Sequence, residues 1–445
     1  MAAIPMSSFA GLASLITTPQ TTKSRSDSRV TPENSQPHLS CSLLHSPSHS
    51  LRWLISVVTL LFAVMSAGVV HANGDLAAAP VDEPVYQPVF NYDFAEFIHW
   101  LNDARKERNI PGAALAIVSS DGIMQLHTWG DKEVGSNDPV DPTAIFRIAS
   151  MSKTFAGAAT AMLVEEEQES WDTLLTDLFP GMQLGNSSRS RTITLKHVIS
   201  HSTGLMPHSY SNMLDHGVDY GSIKRKFKEI PTVCSPGECY GYQNVVFSLV
   251  GDVIEQHSGD SYAHYIEEKL FKPLGMVHAS VGLDAYNAAT NATSPHRKVR
   301  GGRWRPTSTN AAYYTVAPAS GINASVYDMT LWLRANLGAF PEVLPPELLT
   351  EMHSPVIDTP YGNYFNRWSG LEKAYYGIGW RVMDFRGVRA VHHGGGVRGY
   401  RSEMVFVPSA DIGMVLMFNA ESNLANDVVP TFLDNLLIRA AGSAE

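Results

Sequence analysis

The stretch that most constrains the fold of this chain is the run Thr154 to Val164, which has Ala, Gly, Phe, Met and Leu on every side of a helical wheel. A helix that is apolar all round belongs in the interior, so the other elements must be built around it. At its head stands Phe146-Arg147-Ile148-Ala149-Ser150-Met151-Ser152-Lys153-Thr154-Phe155. Positions i and i+3 share a helix face, which brings the Ser150 hydroxyl within reach of the Lys153 amine. Burial and the positive end of the helix dipole both lower a lysine pKa. A neutral amine can take the serine proton and make its oxygen a nucleophile. Backbone N–H groups left free at a helix start can receive a developing oxyanion.

The chain has 445 residues, 44% of them hydrophobic, enough for one large domain or two interlocked ones. Its formal net charge of -10 argues against nucleic acid as the main partner. Neither solenoid nor propeller repeats are present. Of the three cysteines, Cys41, Cys234 and Cys239, none has a spacing to His or Cys that reads as a zinc site, and the chemistry outlined above needs no metal or organic cofactor.

Residues 1–52, rich in Ser, Thr and Pro, read as a disordered leader. Residues 53–72 form an uncharged apolar run with small residues near its end, which reads as a signal peptide or a retained membrane anchor. The lead before that run is long for a bacterial signal, which places the expected true start nearer Leu44 or Leu51. Residues 73–89 are a Pro-rich linker and 90–445 the folded domain. The expected location is therefore exported and periplasmic, with membrane contact only through the apolar segment. Export permits disulfides, and Cys234-Ser235-Pro236-Gly237-Glu238-Cys239 places two cysteines around a turn that a bridge can close.

Phe94, Phe97, Ile98 and Leu101 recur at helical spacing from Asn91 until Ile110-Pro111-Gly112. Ala113–Val118 and Ile123–Trp129, joined by Ser119-Ser120-Asp121-Gly122, read as a hairpin. The middle of the chain is mostly helical: short elements from Trp171 and from Leu195, a helix over Val245–His257 capped by Gly259, and another over Tyr262–Phe271 stopping at Pro273. Met276–Pro318 shows no periodicity, and its basic run, His296 to Arg305, reads as a solvated loop. Ser325–Leu337 is a helix with Ser325 as N-cap and Gly338 after its end. Strands return at Tyr376–Phe385, Val388–His393, Arg401–Val407 and Gly413–Phe418, and Ala425–Ala440 is a closing helix. The expected fold is α+β: an antiparallel sheet built from both ends of the chain, flanked by terminal helices, with an all-helical domain inserted at about 150–310. The natural cleft lies between the two parts.

Two further clusters carry chemistry. Tyr242 and Asn244 lie two apart in an extended segment, so both can face one cleft. A tyrosine beside an ammonium can have a lowered pKa and move protons, and an asparagine amide can hold both the lysine and a substrate carbonyl. His393-Gly394-Gly395-Gly396 closes a strand, and glycines there allow a second backbone to come close. That edge can pair with a substrate, and His393 can donate to a substrate carboxylate or to Tyr242. His392 points the other way.

Together, Ser150-x-x-Lys153, Tyr242-x-Asn244 and His393-Gly394-Gly395 resemble the serine β-lactamase-like hydrolases, in the branch of class C β-lactamases, D-Ala-D-Ala carboxypeptidases, D-aminopeptidases and esterases. The resemblance runs from about Phe90 to Arg439 and includes Leu195–Leu205 and Ala319–Leu337. It implies an acyl-enzyme on Ser150, proton transfer shared by Lys153 and Tyr242, and an oxyanion hole from the N–H groups of Ser150 and Gly396. It also implies that His201 belongs to a structural turn. Class C β-lactamases carry Lys-Thr-Gly as the third cluster, and a neutral imidazole holds a carboxylate less firmly than an ammonium. Arg398 is the expected replacement for that charge. The resemblance implies a serine hydrolase acting on an amide or ester, with an esterase or D-amino-acid peptidase ahead of a β-lactamase, a slowly turning-over penicillin-binding protein or a non-catalytic receptor of the same fold. Its partner is a small-molecule or peptide substrate, cell-wall fragments among the candidates. The sequence leaves the oligomeric state open.

Overall fold

The computed structural model describes residues 88–437, apart from 167, 186–187, 361–364 and 366–367. The leader, the apolar segment, nearly all of the linker and the end of the closing helix lie outside these residues. Among the described residues no helix is long and apolar enough to cross a membrane.

In chain order the elements that place the site are α1 (Ala95–Glu107), β1 (Gly112–Val118), β2 (Ile123–Gly130), β3 (Ile145–Arg147), α2 (Ser152–Glu165), α3 (Leu195–Ile199) and α4 (Leu249–Ser258). They continue with β4 (Ser280–Val281), β5 (His296–Lys298), β6 (Trp304–Pro306), β7 (Ile322–Ser325), α5 (Val326–Asn336) and β8 (Ile357–Asp358). The last are β9 (Leu371–Tyr376), β10 (Arg381–Phe385), β11 (Val388–Val397), β12 (Tyr400–Val407), β13 (Ile412–Phe418) and α6 (Ala425–Leu436). Eight of the strands form one sheet in the order β2-β1-β13-β12-β11-β10-β9-β8. Its strand pairs are antiparallel, and the hairpin near the start of the domain pairs with the last strand, Leu115 opposite Leu416.

Alternation along β1 sorts the core into two layers. Ala113, Leu115 and Ile117 face the terminal helices, where Phe94 and Phe97 pack on Phe432 of α6 at ring separations of 5.7 and 5.4 Å. Ala114, Ala116 and Val118 face the other layer, which contains α2. Ser152 through Leu163 of α2 are all buried, as the apolar run requires. The helix sits tight against the β9–β10 turn: a side chain at Gly157 would lie 2.5 Å from Ile378 O.

Several local expectations shift. The run Tyr376–Phe385 is two strands, because Gly377 and Gly379 (φ +75°) turn the chain between Tyr376 and Arg381. Helix α4 starts at Leu249 instead of Val245, and Gly259 caps it with φ +72°. Pro273 does not end its helix: a wide π turn over Glu267–Phe271 precedes it, and the helix ends at Gly275 with φ +74°. Such a turn accommodates the missing proline N–H. Ser325 caps α5 as expected, its Oγ accepting from Asp328 N while Asp328 Oδ2 accepts from Ser325 N. Towards its end the helical insertion gives way to β4 and the β5–β6 hairpin. On that hairpin the basic side chains are exposed, but His296 is buried, with Nδ1 donating to Asn419 O and Nε2 accepting from Val134 N.

Candidate active site

Strand β3 pairs with β7 (Arg147 opposite Asn323) and delivers the chain to a single tight turn, Ala149–Met151, before α2. Ala149 holds φ +51°, a region sparsely populated by residues with a side chain. The turn is pinned from β11 and β12. Ser402 Oγ donates to Ile148 O at 2.9 Å, and a Cβ at Gly395 would lie 2.2 Å from that same oxygen. Only glycine allows so close an approach. Ser150 therefore sits half-buried on a rigid strand-to-helix corner.

Lys153 follows one turn later and is fully buried. Its Nζ lies 2.8 Å from Asn244 Oδ1, 3.0 Å from Ala319 O and 3.4 Å from Ser150 Oγ. It stands 4.7 Å from the centre of the Tyr242 ring. Burial, with the nearby Arg381 charge added, pushes its pKa well below the usual lysine value. The Ser150 side chain is close enough to the Tyr242 hydroxyl to oppose the rise in its pKa. The structure thus brings Ser150, Lys153, Tyr242 and Asn244 into one contact group. The expected lowering of the Tyr242 pKa does not appear: burial raises it, against the weaker opposing effects of Arg381 and the neighbouring Ser150 side chain.

The third cluster is arranged differently from the sequence reading. His393 is buried, its Nδ1 donating to Gly394 O at 2.9 Å and its Nε2 accepting from Tyr376 Oη at 3.1 Å. Both nitrogens are used inside the chain, so His393 serves neither a substrate carboxylate nor Tyr242. Its burial keeps the imidazole neutral. His392 does face away, onto Glu403 at 2.9 Å. Strand β10 pairs with β11 only as far as Arg381 opposite His392, whereas β12 pairs with β11 through Val397. Gly394, Gly395 and Gly396 therefore extend beyond the end of β10, alongside the Ser150 corner.

Arg398 is exposed in the β11–β12 turn, outside this contact group. The cation at the site is Arg381, at the start of β10. Its guanidinium lies 5.8 Å from the Tyr242 ring centre, and its charge opposes the burial-driven rise of the Tyr240 pKa. The sequence reading missed it. The signal was a lone basic residue inside an otherwise apolar run, Tyr375 to Met383. His208, exposed, adds a ring 5.5 Å from that of Tyr242. Cys234 and Cys239 are joined as a disulfide immediately before Tyr240.

The beta-lactamase family profile matches residues 97–437, and the chain belongs to that family, whose members are generally serine hydrolases. An unguisins hydrolase of Aspergillus campestris is 25% identical over 351 residues, 74% of this chain and 61% of its own length. A D-aminopeptidase of Gluconobacter oxydans is 27% identical over 69% of this chain and 56% of its own length. Penicillin-binding protein 4 of Amycolatopsis lactamdurans is 23% identical over 74% of this chain and 86% of its own. The chain thus spans under two thirds of the unguisins hydrolase and the D-aminopeptidase. The octameric penicillin-binding protein homologue of Pyrococcus abyssi shares the fold, with a TM-score of 0.68 at 23% identity over 77% of this chain and 76% of that one.

Proposed function

We propose that this protein hydrolyses an amide or ester through an acyl-enzyme on Ser150. One observation carries the reading: the surroundings of Lys153 Nζ. Its two close neighbours, Asn244 Oδ1 and Ala319 O, are both acceptors. A neutral amine has two hydrogens to give them, and its lone pair is left for the Ser150 hydroxyl at 3.4 Å. Burial favours that neutral form. Tyr242, with its pKa raised, is a poor phenolate but a good relay. It can give its own proton to the leaving group and take one back from the Lys153 ammonium, staying neutral between transfers. Lys153 is therefore the acylation base and Tyr242 the proton carrier. The N–H groups of Ser150 and Gly396 are the oxyanion donors, each typically worth a few kcal/mol.

Arg381 supplies the positive charge that His393 and Arg398 do not. This supports a substrate with an anionic or strongly polar group near the scissile bond, of esterase or D-amino-acid peptidase type. The D-aminopeptidase relative supports the same class. The disulfide supports an oxidising compartment such as export provides. A panel of p-nitrophenyl esters, D-amino-acid p-nitroanilides and a chromogenic cephalosporin tests the reading. Turnover of the first or second group ahead of the cephalosporin is expected, and its loss in Ser150→Ala. A wild type inert to all three contradicts it.

A further inference from the structure

His201 is a buried titratable side chain at the site that the chemistry above does not use. It lies in the turn after α3 with φ +59° and is 1% exposed. Its carbonyl accepts from Gly241 N at 2.7 Å, and its Nδ1 accepts from Gln243 N at 3.3 Å. Both peptide N–H groups that flank Tyr242 therefore end on one residue. Its ring lies 4.4 Å from the Tyr242 ring, tilted by 43° to it. The turn is itself anchored: Ser202 O accepts from Gly237 N at 2.7 Å, inside the loop closed by the Cys234–Cys239 bridge, and Gly204 O accepts from Val233 N at 2.8 Å, just before it.

We infer that His201 is a positioning residue, a neutral acceptor that straps the Gly241–Gln243 backbone and so aims the Tyr242 hydroxyl at Ser150. The inference rests on the acyl-transfer reading. An acceptor at Nδ1 cannot also carry a proton there, so the imidazole holds its hydrogen on Nε2. That nitrogen is buried and has no hydrogen-bond partner among the described residues. A base would need an outlet for the proton it takes, and this ring has none. Burial above all, with the Arg381 charge nearby, keeps it neutral. The position asks for two things at once: a left-handed backbone and an acceptor three bonds from Cα. Histidine and asparagine meet both, since both tolerate positive φ and asparagine Oδ1 occupies the place of Nδ1. Glycine meets only the first.

The test compares His201→Asn and His201→Gly, each alone and with Tyr242→Phe. His201→Gly is expected to lower kcat about a hundredfold with KM little changed, the cost of a misplaced catalytic group. His201→Asn should recover most of that loss. In the Tyr242→Phe background, His201→Gly should cost nothing further, because its effect passes through the phenol. Hydrogen exchange of a peptide spanning 240–244 reads the strap apart from activity, and should speed up in His201→Gly but not in His201→Asn. Additive losses in the double variant, or unchanged exchange in His201→Gly, overturn the inference. A folded His201→Asn as slow as His201→Gly also overturns it. An inert wild type with the exchange pattern intact would instead remove the acyl-transfer reading and leave the strap standing.

Discussion

A buried lysine is a stability liability that becomes useful only when it is neutral. Lys153 has its pKa pushed well below 10.5, chiefly by desolvation. In the window between its folded pKa and 10.5, the unfolded chain binds more protons than the folded one, so stability rises with pH there. Relative to Lys153→Met, wild type should therefore gain thermal stability as pH is raised from neutral towards 10. Paired thermal melts check this, and a constant or shrinking advantage would count against a neutral Lys153. The same titration should set the acid limb of kcat/KM, at a pH below the ordinary lysine value. Tyr242→Phe should cost about 10²- to 10⁴-fold in kcat, the usual worth of a proton carrier. At this scale the sequence exposed what lies close along the chain. The Ser150–Lys153 pair follows from one helical turn. Arg381 and the Tyr376–His393 bond depend on hairpin register, which sets Arg381 opposite both Tyr376 and His392. No local pattern encodes that pairing.

Elements hold the site through backbone approach more than through side-chain contact. Strand β11 meets the Ser150 corner at Gly395, where a methyl group would lie 2.2 Å from Ile148 O and 2.4 Å from Ser402 Oγ. Because the first obstacle is backbone, the strand or the corner has to move. Gly395→Ala is expected to lower kcat about a hundredfold, as for a misplaced nucleophile. Gly122→Ala, in the β1–β2 turn with nothing within 4 Å of the added carbon, should leave kcat unchanged. Equal activities in the two variants would dismiss the backbone-approach argument. The Cys234–Cys239 bridge closes a short loop, so its loss in a double Cys→Ser variant should cost about 2 kcal/mol, read from denaturant unfolding. Element boundaries were less legible than element types. Pro273 looked like a stop, and a π turn just before it let the helix run on to Gly275.

At the scale of the molecule, the sheet draws on the beginning and end of the domain, and the insertion between them carries Lys153, Tyr242 and Asn244. That division was legible because the hydrophobic period changes from two to about 3.6 and back along the chain. The site lies where the insertion meets the sheet, with α2 buried between them and β11 reaching past the end of β10. Most directly, mass spectrometry of the intact protein with a fluorophosphonate probe tests whether this assembly activates Ser150. The account predicts one adduct, mapped to Ser150, forming faster as pH rises through the Lys153 titration, absent in Ser150→Ala and slowed in Lys153→Met. Equal labelling of wild type and Ser150→Ala, or no labelling of wild type at any pH, would contradict it.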